Sequence, residues 1–246
     1  QSSFMDPAGS SSKKTTTAKD WADLGNDLFG QGLFAESVEA YEKALERNPQ
    51  DKESWNSRGL ALCRMRMSQL AAESFQRAIE IDDDYLDAHN NLGVVHYRNK
   101  RYQRALEIFD LIIKKDSQYI KAWYNRGVIL EKQGLLIESI ESYDRAIEID
   151  SEKPKIWNNR GAALGKTGRY EEALSCFDRS LALKPGTPEA WCNKGEALRQ
   201  LGDYAQSLQC FDAAIELDPY HQRARKGRIL VLGELRAGQW NDESEG

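Results

Sequence analysis

Histidine, cysteine and long apolar runs are scarce in this chain. It has three histidines and four cysteines in 246 residues. The two nearest histidines, His89 and His96, lie seven residues apart, about two helical turns or ~10 Å, too far to share a metal ion. No cysteine pair has zinc spacing, and no glycine-rich phosphate loop or paired nucleophile and base occurs. Enzymatic, metal and cofactor chemistry are therefore not expected. No apolar stretch approaches the ~18 residues needed to cross a bilayer. The N-terminus has no apolar core of a secretory signal, so none is expected. Positive charge is not in excess either. A formal charge of −5 and a pI near 5.4 exclude binding driven by phosphate neutralisation, so no nucleic-acid partner is expected.

What the chain does have is a period. Trp21, Trp55, His89, Trp123, Trp157 and Trp191 recur every 34 residues, each followed four positions later by glycine: Gly25, Gly59, Gly93, Gly127, Gly161 and Gly195. A repeat of this length is one supersecondary unit that cannot bury its apolar face alone and so stacks on its neighbour. With the Trp at position 4, position 20 is small (Ser37, Ala71, Ala105, Ser139, Ala173, Ser207) and position 24 aromatic (Tyr41, Phe75, Phe109, Tyr143, Phe177, Phe211). This pattern predicts two amphipathic helices per copy, brought close by the small residues, with the rings filling the space beside them. Gly32, Gly134, Gly168 and Gly202 fall where a left-handed cap would end the first helix. Pro49, Pro185 and Pro219 fall where the second must stop. Glu39 with Lys43, Glu73 with Arg77 and Glu141 with Arg145 read as i, i+4 ion pairs on the outer helix. The cysteines at one column, Cys176 and Cys210, would sit on stacked helices beyond disulfide reach, which suggests a reducing cytoplasm.

These columns resemble the tetratricopeptide repeat family, whose W-x2-L-G-x2-Y…A-x3-F…P pattern has the same period. The resemblance runs from Ala18 to His221 without an insertion. It implies an all-α, right-handed α-α superhelix of six helix-turn-helix repeats plus a C-terminal capping helix. The expected organisation is a tag-like flexible tail over 1–17, then repeats at 18–51, 52–85, 86–119, 120–153, 154–187 and 188–221. A capping helix at 222–238 and an acidic tail at 239–246 follow. The third copy departs most, with His89, His96, Ile112 and Lys115 at family positions, and is expected to pack least regularly. Both histidines hold core columns, where a buried, hydrogen-bonded ring is expected.

At 100° per residue, positions 3, 4, 7, 8, 10, 11 and 14 of the first helix share one arc, read as core. Positions 2, 5, 6, 9, 12 and 13 share the opposite one. The resemblance implies that this second arc lines a concave groove that binds protein partners. Position 6 there carries Asn91, Asn125, Asn159 and Asn193 in succession. Each amide is both donor and acceptor, so the row can hold an extended peptide by its backbone, or else bond between adjacent first helices. Val94 and Val128 form part of an apolar strip at position 9, beside Tyr97 and Tyr124. Arg64, Arg98, Lys132 and Lys166 at position 13 would favour an acidic ligand, or else serve a solvated helix end.

The family's carboxylate clamp for chaperone tails is not matched. No lysine stands at position 5, and Ser57 and Asp87 replace the Asn and Lys it requires. The resulting expectation is a non-enzymatic scaffold that binds an extended, acidic peptide segment. The alternatives are a module that self-associates through its ends or tails, and a regulatory domain cut from a larger protein. Gln1–Thr17 is rich in Ser, Thr and Lys. Such a segment orders only by docking, so residues near Phe4 to Pro7 are expected to contact the groove.

Overall fold

Thirteen α-helices joined by short turns account for residues 17–244, the part described by this computed structural model. In chain order they are α1 (Ala18–Gly30), α2 (Phe34–Arg47), α3 (Lys52–Arg64), α4 (Ser68–Ile81), α5 (Leu86–Arg98), α6 (Tyr102–Lys115) and α7 (Ile120–Gln133). These are followed by α8 (Leu136–Ile149), α9 (Pro154–Lys166), α10 (Tyr170–Leu183), α11 (Pro188–Gln200), α12 (Tyr204–Leu217) and α13 (Gln222–Ser244). The architecture is an all-α solenoid of helix-turn-helix pairs. The chain divides into two units, residues 1–95 and 96–246, and the division falls inside α5, in the divergent third copy. The contact expected of Phe4 to Pro7 lies outside the described residues.

The glycine column sets the closest approach within a pair. A Cβ placed on Gly127 would lie 2.6 Å from Cε1 of Tyr143, and one on Gly59 would lie 2.5 Å from Cε1 of Phe75. The position-20 serines tie the same contact from the other side. Ser37 donates to the Gly25 carbonyl at 2.9 Å, Ser139 to Gly127 at 2.8 Å and Ser207 to Gly195 at 2.7 Å. Small size and a hydroxyl thus act together. The first helix then ends in a left-handed residue. Gly32, Gly134, Gly168 and Gly202 have φ of 80–83° there, while Arg66 (φ 64°) and Lys100 (φ 60°) hold the same position without glycine's freedom.

The second helix stops in copies that lack proline too. The residue after it turns the chain with its own side chain: Asp82, Asp116, Asp150 and Asp218 each accept from the backbone N–H two residues on, at 2.8 to 3.0 Å. The carbonyl released by the turn is then taken by the next copy's Trp. Trp55 donates to Pro49, Trp123 to Ser117, Trp157 to Ser151 and Trp191 to Pro185, at 2.8 to 3.0 Å. His89 keeps this role, with Nε2 2.9 Å from the Asp83 carbonyl, and is buried as expected. His96 is only half-buried, and its Nδ1 finds no partner among the described residues.

Position 7, read from the sequence as core, is instead a ladder of charge between successive copies. Arg58 reaches Glu42 (2.7 Å), Arg126 reaches Asp110 (2.8 Å), Arg160 reaches Asp144 (2.5 Å), Lys194 reaches Asp178 (2.6 Å) and Arg228 reaches Asp212 (2.6 Å). Each arginine of the first three rungs is also tied to the second helix of its own copy. Arg58 donates to Ser74 Oγ, Arg126 to Ser142 Oγ and Arg160 to Cys176 Sγ, so one side chain staples three helices. The rung at Leu92 is absent, and its partner position holds Gln76 rather than an acid.

The three i, i+4 pairs expected on the outer helices do not form. Arg77 and Arg145 turn instead to Glu80 and Glu148 at i+3, both at 2.8 Å, because the two spacings are equally near on a helix surface. Lys43 lies 4.4 Å over the Trp21 ring, where the aromatic face competes with a solvated carboxylate. The terminal helix α13 continues past residue 238 as far as Ser244, within the segment expected to be an acidic tail.

None of the four cysteines is in a disulfide. Cys176, Cys192 and Cys210 are buried, and burial raises each above the usual thiol range, Cys210 to about 11. Cys63 is half-exposed. Thiol titration of the native protein at pH 8 should therefore count one fast group, rising to four in denaturant. More than one fast native thiol would contradict the burial.

Candidate functional site

Within the unit 96–246, the first helices α7, α9 and α11 and the start of α13 contact one another along the chain. The inner arc of these helices forms a hollow of about 490 Å³ lined by α7, α9, α10, α11 and α13. Its floor is apolar, from Ala162, Ala197, Tyr170 and Phe177, and its uncharged polar groups are the carboxamides of Asn158, Asn159, Asn193 and Gln200.

The asparagines are not a row of free amides. Asn159 Nδ2 donates to the Tyr124 hydroxyl (3.3 Å), and Asn193 Nδ2 donates to Asn158 Oδ1 (3.1 Å). Arg223 then donates to Asn193 Oδ1 at 3.1 Å. In the other unit Asn91 donates to Asn56 at 2.9 Å. The amide therefore bonds from position 6 of one copy to position 5 of the preceding one, always 35 residues apart. Of the two readings the sequence allowed, bonds between adjacent first helices are present, and Asn159 is half-buried. A buried or half-buried donor takes the nearest acceptor, and the adjacent helix supplies it. Asn158 Nδ2 and Asn159 Oδ1, a donor and an acceptor on neighbouring residues, make no bond among the described residues.

The cation column divides similarly. Lys166 is paired with Glu131 at 2.7 Å, and the guanidinium of Arg64 lies 5.4 Å over the Phe34 ring. Arg98 and Lys132 are exposed. Val94, Val128, Tyr97 and Tyr124 are half-buried rather than open. Tyr124 and Val128 pack against the core cluster around Tyr143 and Ile156, and Lys155 covers the Tyr124 ring at 5.1 Å. Asn125 is half-buried on α7, one position along from Tyr124.

Three carboxylates line the hollow that sequence reasoning missed: Glu131, Glu189 and Glu196. Glu131 accepts from both Lys166 and the Tyr143 hydroxyl (3.1 Å). Burial first, then this carboxylate, push the Tyr143 hydroxyl far above its ordinary range, so it remains a donor. Burial alone would raise Glu196, but its bonds from Arg199 (2.8 Å) and Gln200 (2.8 Å) hold it below the usual range. Arg199 extends to Glu234 on α13 at 2.7 Å. The hollow is thus a site of mixed charge in which two of its three acids, Glu131 and Glu196, are already bonded. Among the described residues, no group of three His, Cys, Asp or Glu could hold a metal ion, and no helix is long and apolar enough to cross a membrane.

Comparison with solved structures agrees with this architecture. The chain is similar to YrrB, described as a TPR protein with an unusual peptide-binding site, at 24% identity over 78% of this chain and 98% of that one, with a TM-score of 0.62. It is similar to pilF of Pseudomonas aeruginosa at 17% identity over 85% and 95% of the two chains, with a TM-score of 0.75. It is also similar to MamA of Desulfovibrio magneticus RS-1, at 20% identity over 68% and 95%, with a TM-score of 0.62. At these identities the likeness speaks for the fold alone. No curated protein matches the sequence. Tetratricopeptide repeat models match residues 22–85, 64–120, 120–153, 142–175 and 161–231. With matches of one kind running from residue 22 to residue 231, and helix pairs through the same span, the chain belongs to the tetratricopeptide repeat family.

Proposed function

We propose that the chain is a protein-interaction scaffold whose unit 96–246 holds an extended peptide segment along α7, α9, α11 and α13. Membership of a repeat family built from stacked helix pairs supports the scaffold role. The observation that carries the peptide reading is the hollow itself. It sets an apolar floor of Tyr170 and Phe177 beneath the uncommitted Asn158 donor and Asn159 acceptor, the arrangement that meets a peptide N–H and C=O while burying a side chain. YrrB, a relative in fold, is described as having a peptide-binding site, which is consistent with this reading. An acidic residue of the ligand would face Arg98 and Lys132, the exposed cations of position 13, rather than the hollow, whose carboxylates repel it. Four cysteines without a disulfide fit a reducing compartment such as the cytoplasm.

The test is a peptide selected on the intact chain from a random 12-residue display library. Asn159→Ala with Asn193→Ala should weaken that peptide about tenfold, equivalent to ~1.4 kcal/mol, with the helical circular dichroism unchanged. Equal affinity for the double variant and the parent would remove these helices as the site.

A further inference from the structure

A second hollow lies away from the asparagines, among α6, α7 and α8. Two adjoining spaces of about 640 and 340 Å³ share Trp123, Arg145 and Glu148. Trp123 is half-buried, and its Nε1 is already donated to the Ser117 carbonyl at 3.0 Å, so the ring offers a face rather than a polar atom. The walls of the larger space carry four carboxylates, Asp110, Glu141, Asp144 and Glu148, against two guanidiniums, Arg126 and Arg145. Both guanidiniums are committed, Arg126 to Asp110 and Ser142, and Arg145 to Glu148. Asp144 is held by Arg160. Glu141 makes no ion pair among the described residues.

The other copies show what this hollow lacks. At Trp21, Trp55 and Trp191 the chain's own cations cover the ring: Lys43 at 4.4 Å, Arg58 at 5.8 Å and Lys194 at 5.8 Å. In the Trp157 copy, Arg179 reaches back to Glu152 in the preceding turn at 2.5 Å. Arg145 occupies the equivalent place above Trp123, but the residue matching Glu152 is Gln118. With no acid to draw it across, Arg145 stays on its own helix and the space over Trp123 remains open.

We propose that this hollow docks an arginine side chain of a partner protein, its guanidinium flat on Trp123 and hydrogen-bonded to Glu141. Arginine fits better than lysine because a planar guanidinium stacks on an indole face while its fork of donors meets a carboxylate. Glu141, the one carboxylate of the hollow left without an ion pair among the described residues, supplies the complementary charge. This surface is separate from the groove of the first helices and stands whether or not a peptide binds there.

The experiment uses the intact chain and N-acetyl-arginine amide as the probe, followed through indole N–H resonances, with Trp123→Phe assigning the peak. Saturable movement of the Trp123 resonance at millimolar probe is expected, without matching movement of the other indoles. N-acetyl-citrulline amide, the same shape without the charge, should leave it still. Glu141→Gln should weaken binding about threefold, the range of an exposed ion pair, and Glu141→Lys should abolish it. Glu36→Gln, an exposed acid in the other unit, should do neither. A stationary Trp123 peak, an equal response to citrulline, or indifference to Glu141→Lys would overturn the proposal.

Discussion

Gly127→Leu should destabilise the unit 96–246 more than any surface change. Even the first added carbon would sit 2.6 Å from the Tyr143 ring, inside any allowed contact, and the rest of a leucine has nowhere to go. Tyr143 cannot yield easily. It is fully buried, and its hydroxyl is held by Glu131. Overpacking of a tight core costs about 1–3 kcal/mol and sometimes more, and here it also pries α8 from α7 and breaks the Ser139 bond to the Gly127 carbonyl. Because a repeat array is stabilised by nearest-neighbour interfaces, the damage should be local. Urea unfolding followed by circular dichroism should separate into two stages where the parent shows fewer. A single transition at the parental midpoint would show that the pair does not depend on this contact.

Phe211→Ala should be comparably damaging, with a different signature. Phe211 lies between two glycines, Gly195 of α11 and Gly227 of α13; its ring occupies the space for a Cβ at Gly227 and crowds the one at Gly195, 3.1 Å away. It anchors a cluster with Cys192, Ala214, Ala224 and Val231. Truncating a buried phenylalanine costs about 3–5 kcal/mol. The loss falls on the interface that holds the terminal helix, so α13 should detach before the rest unfolds. Limited proteolysis should then cut at the Pro219–Tyr220 turn, and amide exchange in α13 should rise far above that in α7 to α10. Uniform exchange across the unit would assign Phe211 no special part in holding α13.

Much of this fold was legible as columns. Glycine at position 8 and an aromatic ring at position 24 imply their contact, and a Trp every 34 residues implies a repeated bond, which His89 keeps with a ring nitrogen. What was hidden lay between columns rather than within them. The position-7 cations looked like core residues on a helical wheel. Their partners stand 16 residues earlier on the preceding second helix, and only the stacking register brings the two together. The candidate site was hidden in the same way. Asn159 and Tyr124, Asn193 and Asn158, Lys166 and Glu131, and Arg199 and Glu234 are all 35 residues apart. A search for complementary types at that offset would have found both the internal bonds of the amide row and the missed carboxylate Glu131. The choice of Lys43 for the Trp21 ring over Glu39 depends on side-chain geometry that no spacing encodes.

The charge ladder also gives the copies a fixed order. Repeats of equal length look interchangeable, but each carries half of a pairing rule: an acid or Gln on its second helix, and a cation or Leu on the first helix of the copy that follows. Gln76 and Leu92 obey that rule together, since neither brings a charge the other would leave unanswered. Transplanting the third copy to follow the fifth would set Leu92 against Asp178, and moving the fourth to follow the second would set Arg126 against Gln76. A chain assembled by shuffling these modules would keep its helices and lose its joints, so its copies are words in a sentence rather than beads on a string.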